Sequence, residues 1–253
     1  MAELLFWPAL LAYGEAAVAY AGNARRPGTL GRAATWGVRL GWLAQTGLLI
    51  AQAARAEGFP WASWAGSLNL FVWLVVSAYL IWGCRPSYRL LGLAVMPVAA
   101  VLLAVAYAGG GMGEDAESRL STLFLVLHVG LVLAGIAGFT LAAALAGLYL
   151  WEERRLKRRE PRILRLGAPS LVSLDVLCAR TVAVSLAVFL AGMSAGFARL
   201  DEFDARMAAS IATAGVYGAF LLSWRAGWRG RRSAWLAVAG SALVMVLLLV
   251  SHF

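Results

Sequence analysis

Charge is what this sequence has least of. Asp, Glu, Lys and Arg make up 14% of 253 residues, against about 25% in a soluble domain, too few to coat a water-facing surface. There are two cysteines, Cys84 and Cys178, with no CxxC or CxxCH spacing. That excludes a thiol redox relay and self-attached c-type haem. No P-loop, GxSxG, HExxH or strand-borne GxGxxG is present, so nucleotide, hydrolase and metalloprotease chemistry have no carrier. Gly109-Gly110-Gly111 reads as the flexible end of a span rather than a phosphate cradle. Enzymatic activity is not expected.

What the sequence has is apolar length. Hydrophobic residues make up 62%, which rules out disorder, collagen and a secreted disulfide scaffold. Eight apolar segments are legible, at about 4–21, 33–53, 66–84, 90–108, 121–150, 181–198, 207–224 and 234–252. Each is near the ~20 residues a helix needs to cross a bilayer. The expected fold is all-α: a polytopic membrane protein of eight transmembrane helices, with residues 1–253 forming one domain. The start, Met1-Ala2-Glu3, has no basic run or cleavage site, so the first segment reads as a retained span.

The net charge of +9 resolves into a topology. Seventeen Lys and Arg fall in the connections after segments 1, 3, 5 and 7, and four (Arg55, Arg119, Arg199, Arg206) fall on the other side. The positive-inside rule then puts both termini outside. The largest inner connection is the basic loop at about 152–180. Its first part, to Arg159, reads as a continuation of helix 5 that Pro161 stops. Leu171–Leu177, with Asp175, reads either as an amphipathic helix on the membrane surface or as the first turns of segment 6. No stacking aromatics interleave these charges, so nucleic acid is not an expected partner; the bilayer is.

Glu15 and Arg39 are the charged residues well inside spans, each roughly 10 Å deep. They form a candidate intramembrane ion pair, either a proton or substrate site or a structural staple. The two histidines, His128 and His252, fall on the outer side. Two imidazoles there suit axial ligation of one haem iron. Counting from residue 121 puts His128 roughly 10 Å inside and His252 at the edge, and a hydrogen-bonded interface histidine is the competing reading. Eleven tryptophans mostly mark interfaces. Trp61 and Trp64 also suit contact with a flat aromatic ligand, and Trp42 and Trp73 lie deep enough to line a pocket.

Several ordered stretches carry a family resemblance. They are Ser67-Leu68-Asn69-Leu70 with Trp73; Leu127-His128-Val129; Gly147 to Lys157; Pro169-Ser170-Leu171 with Leu174-Asp175 and Arg180; Gly227-Trp228-Arg229-Gly230-Arg231-Arg232; and Ser251-His252-Phe253. Together they resemble the cytochrome c assembly transmembrane family, the haem-handling CcsA/CcmC group, and within it the HemX-like branch. The resemblance implies a bacterial-type cytoplasmic membrane and non-covalent haem b, as cofactor or cargo, with His128 and His252 as axial ligands. Trp61, Trp64 and Phe203 would pack on the macrocycle, and Arg119, Arg199, Arg206 or Arg55 would meet its propionates. The family's tryptophan-rich outer signature is reduced here to Phe203-Asp204-Ala205-Arg206 in a loop without tryptophan. Implied partners are haem, a cytochrome c assembly component or, on the HemX-like reading, glutamyl-tRNA reductase docked on the basic inner loop to regulate tetrapyrrole synthesis.

Overall fold

The computed structural model of the chain describes residues 2–25, 28–55, 61, 63–83, 85, 88–110, 122–159, 169–197 and 205–250. Among these the apolar segments form helices and no strand occurs: α1 (Ala2–Arg25), α2 (Leu30–Ala53), α3 (Trp64–Gly83), α4 (Arg89–Ala108), α5 (Thr122–Lys157), α6 (Leu171–Phe197), α7 (Ala205–Arg225) and α8 (Arg231–Val250). Lipid offers backbone groups no partner, so such runs close their hydrogen bonds internally as helices. Six of them, α1, α3, α4, α5, α6 and α7, are long and apolar enough to cross a membrane. The protein is a multi-pass membrane protein. The interior of α2 is less apolar because it carries Arg39, Gln45, Thr46 and Gln52.

Two inner-loop expectations meet the structure directly. Helix α5 has 36 residues, about 54 Å at the helical rise, so it outruns a hydrocarbon core of about 30 Å. It stops at Lys157, and Arg159 turns left-handed (φ 53°) with its N–H on the Leu156 carbonyl; Pro161 lies outside the described residues. The surface-lying reading of Leu171–Leu177 does not hold, since α6 runs unbroken from Leu171 to Phe197. Ser170 Oγ accepts from the Ser173 N–H at 3.1 Å, an N-cap that starts the helix ten residues before the apolar run alone indicates.

The chain forms two compact units. The first contains α1–α4 and the first turn of α5; the second contains the rest of α5 with α6–α8. In the first, α1 and α2 close on each other through Gly37 and Gly41. A Cβ on Gly37 would stand 3.3 Å from the Ala12 carbonyl, and one on Gly41 2.6 Å from the Tyr13 ring. Small residues four apart let membrane helices approach this closely, and van der Waals contact then holds them. Inside, Tyr13 Oη donates to Gln45 Oε1 (2.7 Å). Gln45 Nε2 donates to the Asn69 side-chain oxygen (2.9 Å), and Asn69 Nδ2 to Gln52 Oε1 (3.3 Å). Tyr13, Gln45 and Asn69 are fully buried, so each polar group needs the partner it has. In the second unit α5 and α6 meet at Gly135 and Gly138, against Phe189 and Ser185. Phe139 stacks on Tyr217 with centroids 3.6 Å apart.

Candidate functional site

His128 lies on the second turn of α5. Facing it on α6 are Gly192 and Gly196, a Gly-x-x-x-Gly pair. The imidazole occupies the space that a side chain at residue 196 would need: a Cβ there would stand 2.8 Å from Nδ1 and 3.1 Å from Nε2. Residue 192 has no room either, since its Cβ would stand 2.8 Å from the Val132 nitrogen. His128 Nδ1 lies 2.7 Å from the Gly192 carbonyl oxygen. A carbonyl only accepts, so Nδ1 carries the proton and donates. In the neutral ring the lone pair is then on Nε2, one of the two nitrogens through which a histidine can ligate a metal. The ring is half-buried, and the Gly192 carbonyl fixes its orientation.

The other expected site residues are placed as follows. Trp64 opens α3 and is 59% exposed, and its indole covers Gly109 at the end of α4. Trp61 is half-buried, with its carbonyl accepting from Ser67 Oγ at 2.7 Å. Both belong to the first unit, His128 to the second. Arg206 is exposed on the first turn of α7, and Arg55 is exposed just past α2. His252, Phe203, Arg119 and Arg199 lie outside the described residues. Glu15 and Arg39 both face outward from their helices, and the Arg39 guanidinium lies 5.1 Å from the Trp36 ring centroid on its own helix, a cation–π arrangement. Trp42 and Trp73, expected to lie deep, are in contact with each other. They stack on each other at 5.8 Å, with planes 17° apart.

A second polar centre lies at the other end of the same unit. Asp175 on α6 accepts from Trp224 Nε1 (3.0 Å), from the Gly230 N–H (3.0 Å) and from Ser233 Oγ (2.5 Å). It ties the start of α6 to the end of α7 and the start of α8. The turn it holds carries two left-handed glycines, Gly227 (φ 96°) and Gly230 (φ 72°), a conformation that only glycine adopts without penalty. Arg229 lies over the Trp224 ring at 4.4 Å. Glu153 of α5 pairs with Lys157 at 2.7 Å and faces Arg231 at 3.9 Å. Beside it Glu152 is buried, and its Oε1 has no hydrogen-bond partner among the described residues.

Residue type and apolar period alone did not single out Gly192, Gly196 or the contacts of Asp175. The four-residue glycine spacing in Gly192-Met193-Ser194-Ala195-Gly196 was the available signal for the first two. For Asp175 the signal was a lone acid among apolar neighbours, which in a membrane helix needs donors. No group of three or more His, Cys, Asp or Glu able to hold a bare metal ion occurs among the described residues.

Comparison with known proteins places the chain in a family. The pattern of the cytochrome c assembly protein family matches residues 61–253, which span α3–α8. The cytochrome c biogenesis protein CcsA of Prochlorococcus marinus strain MIT 9303 is 25% identical over 248 residues, covering 83% of this chain and 77% of that protein. CcsA of strain MIT 9313 matches to the same extent. With most of its length inside the family pattern, the chain belongs to the cytochrome c assembly protein family.

Proposed function

We propose that this protein binds haem b non-covalently on the outer side of a bacterial-type cytoplasmic membrane, and holds or passes it during cytochrome c biogenesis. The observation that carries the reading is the 2.7 Å approach of His128 Nδ1 to the Gly192 carbonyl oxygen: with Nδ1 donating, the lone pair that axial ligation of iron requires lies on Nε2. The donor chemistry therefore fits haem. His252 would supply the second axial nitrogen, Trp61, Trp64 and Phe203 apolar cover, and Arg119, Arg199, Arg206 or Arg55 the propionate contacts. Haem would supply the redox-active iron; the chain's own residues bind it, orient it and exclude water, and form no covalent bond to it. The relatives named as cytochrome c biogenesis proteins support the pathway.

The same reading has eight spans with both chain ends outside, following the distribution of Lys and Arg. The test is the visible spectrum of the purified protein, with pyridine haemochrome to identify the haem. A Soret band is expected, and it should be lost in His128→Ala and in His252→Ala. No band after haem addition, or an unchanged band in both variants, overturns the proposal.

A second reading rests on the length of α5, whose Arg154, Arg155 and Lys157 extend past the hydrocarbon. On this HemX-like alternative, the basic extension docks glutamyl-tRNA reductase. Pull-down of the reductase that is abolished by reversing these charges supports it, and capture that survives reversal rejects it.

A further inference from the structure

We propose that the turn between α7 and α8 is a headgroup site for anionic phospholipid, built by Asp175. Helix α7 is apolar enough to cross the membrane and ends at Arg225, so the turn that follows lies at the membrane–water boundary. It exposes Arg225, Arg229, Arg231 and Arg232, with the indoles of Trp228 and Trp235 48% and 44% exposed beside them. Four guanidiniums match phosphate in charge and in donor geometry, and exposed indoles belong at headgroup depth. The acids near this patch are Glu153, facing Arg231 at 3.9 Å, and Asp175, so its balance remains cationic.

What separates this turn from an ordinary basic loop is that its backbone is fixed. The Asp175 carboxylate holds the Gly230 N–H, Ser233 Oγ and Trp224 Nε1 together. The Trp224 ring it holds is the one on which the Arg229 guanidinium lies, at 4.4 Å. The carboxylate thus sets the indole, and the indole sets the arginine. Asp175 is a positioning residue: it touches no lipid, and it spaces the arginines that do. A loose basic segment attracts anionic lipid through charge alone; a fixed one adds a preference that depends on shape.

This difference gives opposite predictions for one substitution. Asp175→Asn makes the patch more positive, so attraction by charge alone would strengthen. On the present proposal it weakens, because the new amide turns a donor toward a clasp made of three donors and loosens the turn. Trp224→Phe removes one bond and no charge, and serves as the milder variant should Asp175→Asn fold poorly.

The experiment titrates the full-length protein in neutral detergent with short-chain phosphatidylglycerol or phosphatidylcholine, and reads bound lipid by native mass spectrometry and Trp fluorescence. The expected result is phosphatidylglycerol bound about tenfold more tightly, with the preference lost in Arg229→Gln/Arg232→Gln. It should be weakened several-fold in Asp175→Asn and in Trp224→Phe. Equal binding of the two lipids overturns the proposal, as does a preference unchanged or increased in both clasp variants. Displacement of the lipid by inorganic phosphate at matched concentration also overturns it, by revealing a site for a free anion.

Discussion

The two units each contain a Gly-x-x-x-Gly face, and they use it differently. On α2, Gly37 and Gly41 admit α1, and the side chain that fills the gap is Tyr13. Its ring is fully buried and its hydroxyl ends in the Gln45–Asn69–Gln52 network. On α6, Gly192 and Gly196 admit α5, and the side chain that fills the gap is His128, half-buried, with Nδ1 against a backbone carbonyl. Close helix approach is the same physical device in both. In the first unit it closes a core around a polar network. In the second it sets the orientation of an imidazole, which on the proposed function turns Nε2 toward iron. A glycine pair therefore says that two backbones meet, and the residue opposite decides whether the meeting is packing or chemistry.

The largest effect that tests this contrast comes from adding one methyl group to each face. In Gly41→Ala the new Cβ meets the Tyr13 ring, which is sealed in the core and has nowhere to go, so stability falls by about 1–3 kcal/mol. In Gly196→Ala the new Cβ meets the imidazole, which is half-buried rather than sealed in a core. The fold then loses less, but Nδ1 leaves the Gly192 carbonyl and Nε2 is re-aimed, and haem affinity falls by about tenfold or more, some 1.4 kcal/mol. Unfolding in mixed micelles reads the first quantity and the Soret band the second. Equal losses of haem in the two variants would mean that the α6 pair is packing and nothing more.

Much of the architecture was legible because the bilayer makes it so. The apolar runs at 66–84 and 90–108 fold as α3 and α4 within two residues at each end, since lipid leaves an apolar run few alternatives to a helix. The start of α6 was less legible. Its first ten residues carry Ser173, Asp175 and Arg180, and what makes them helical is a serine cap together with donors that arrive from residues 224–233. Long-range partners of this kind leave no local period. At the candidate site, the identity of His128 was legible because histidine is scarce here. Its tautomer was not, because that depends on a carbonyl 64 residues away.

A middle-sized effect separates the network from the histidine. Gln45→Leu leaves the Tyr13 hydroxyl without its acceptor and the Asn69 side-chain oxygen without its donor, both in a dry interior. Single hydrogen bonds between membrane helices are worth about 0.6 kcal/mol on average. Orphaning a buried group costs more than the bond itself, about 1–3 kcal/mol, so a loss of about 1–2 kcal/mol is expected. The haem spectrum should not change. A variant as stable as the parent would show that the network is tolerated in the first unit and contributes nothing to holding it together.

The smallest effect comes from the indole pair, where the first unit's polar packing is most regular. Trp42 Nε1 donates to Ser77 Oγ, and Ser77 Oγ donates to the Trp73 carbonyl; Trp73 Nε1 donates to Thr46 Oγ1, and Thr46 Oγ1 donates to the Trp42 carbonyl. The ring of bonds closes on itself, each hydroxyl accepting from the neighbouring helix and giving to its own. Trp73→Phe removes one indole N–H, keeps the ring contact with Trp42 and leaves Thr46 bonded to its carbonyl, so no buried group is orphaned. The cost should be about 0.6 kcal/mol, and Trp42→Phe should match it. The two indole bonds share no donor or acceptor, so the double variant should lose about the sum of the two. A coupling well above 0.5 kcal/mol would mean that the hydroxyls transmit strain from one helix to the other. That would give the first unit the property proposed for the clasp of Asp175 and Trp224 in the second, in which one side chain's bond sets the direction of another.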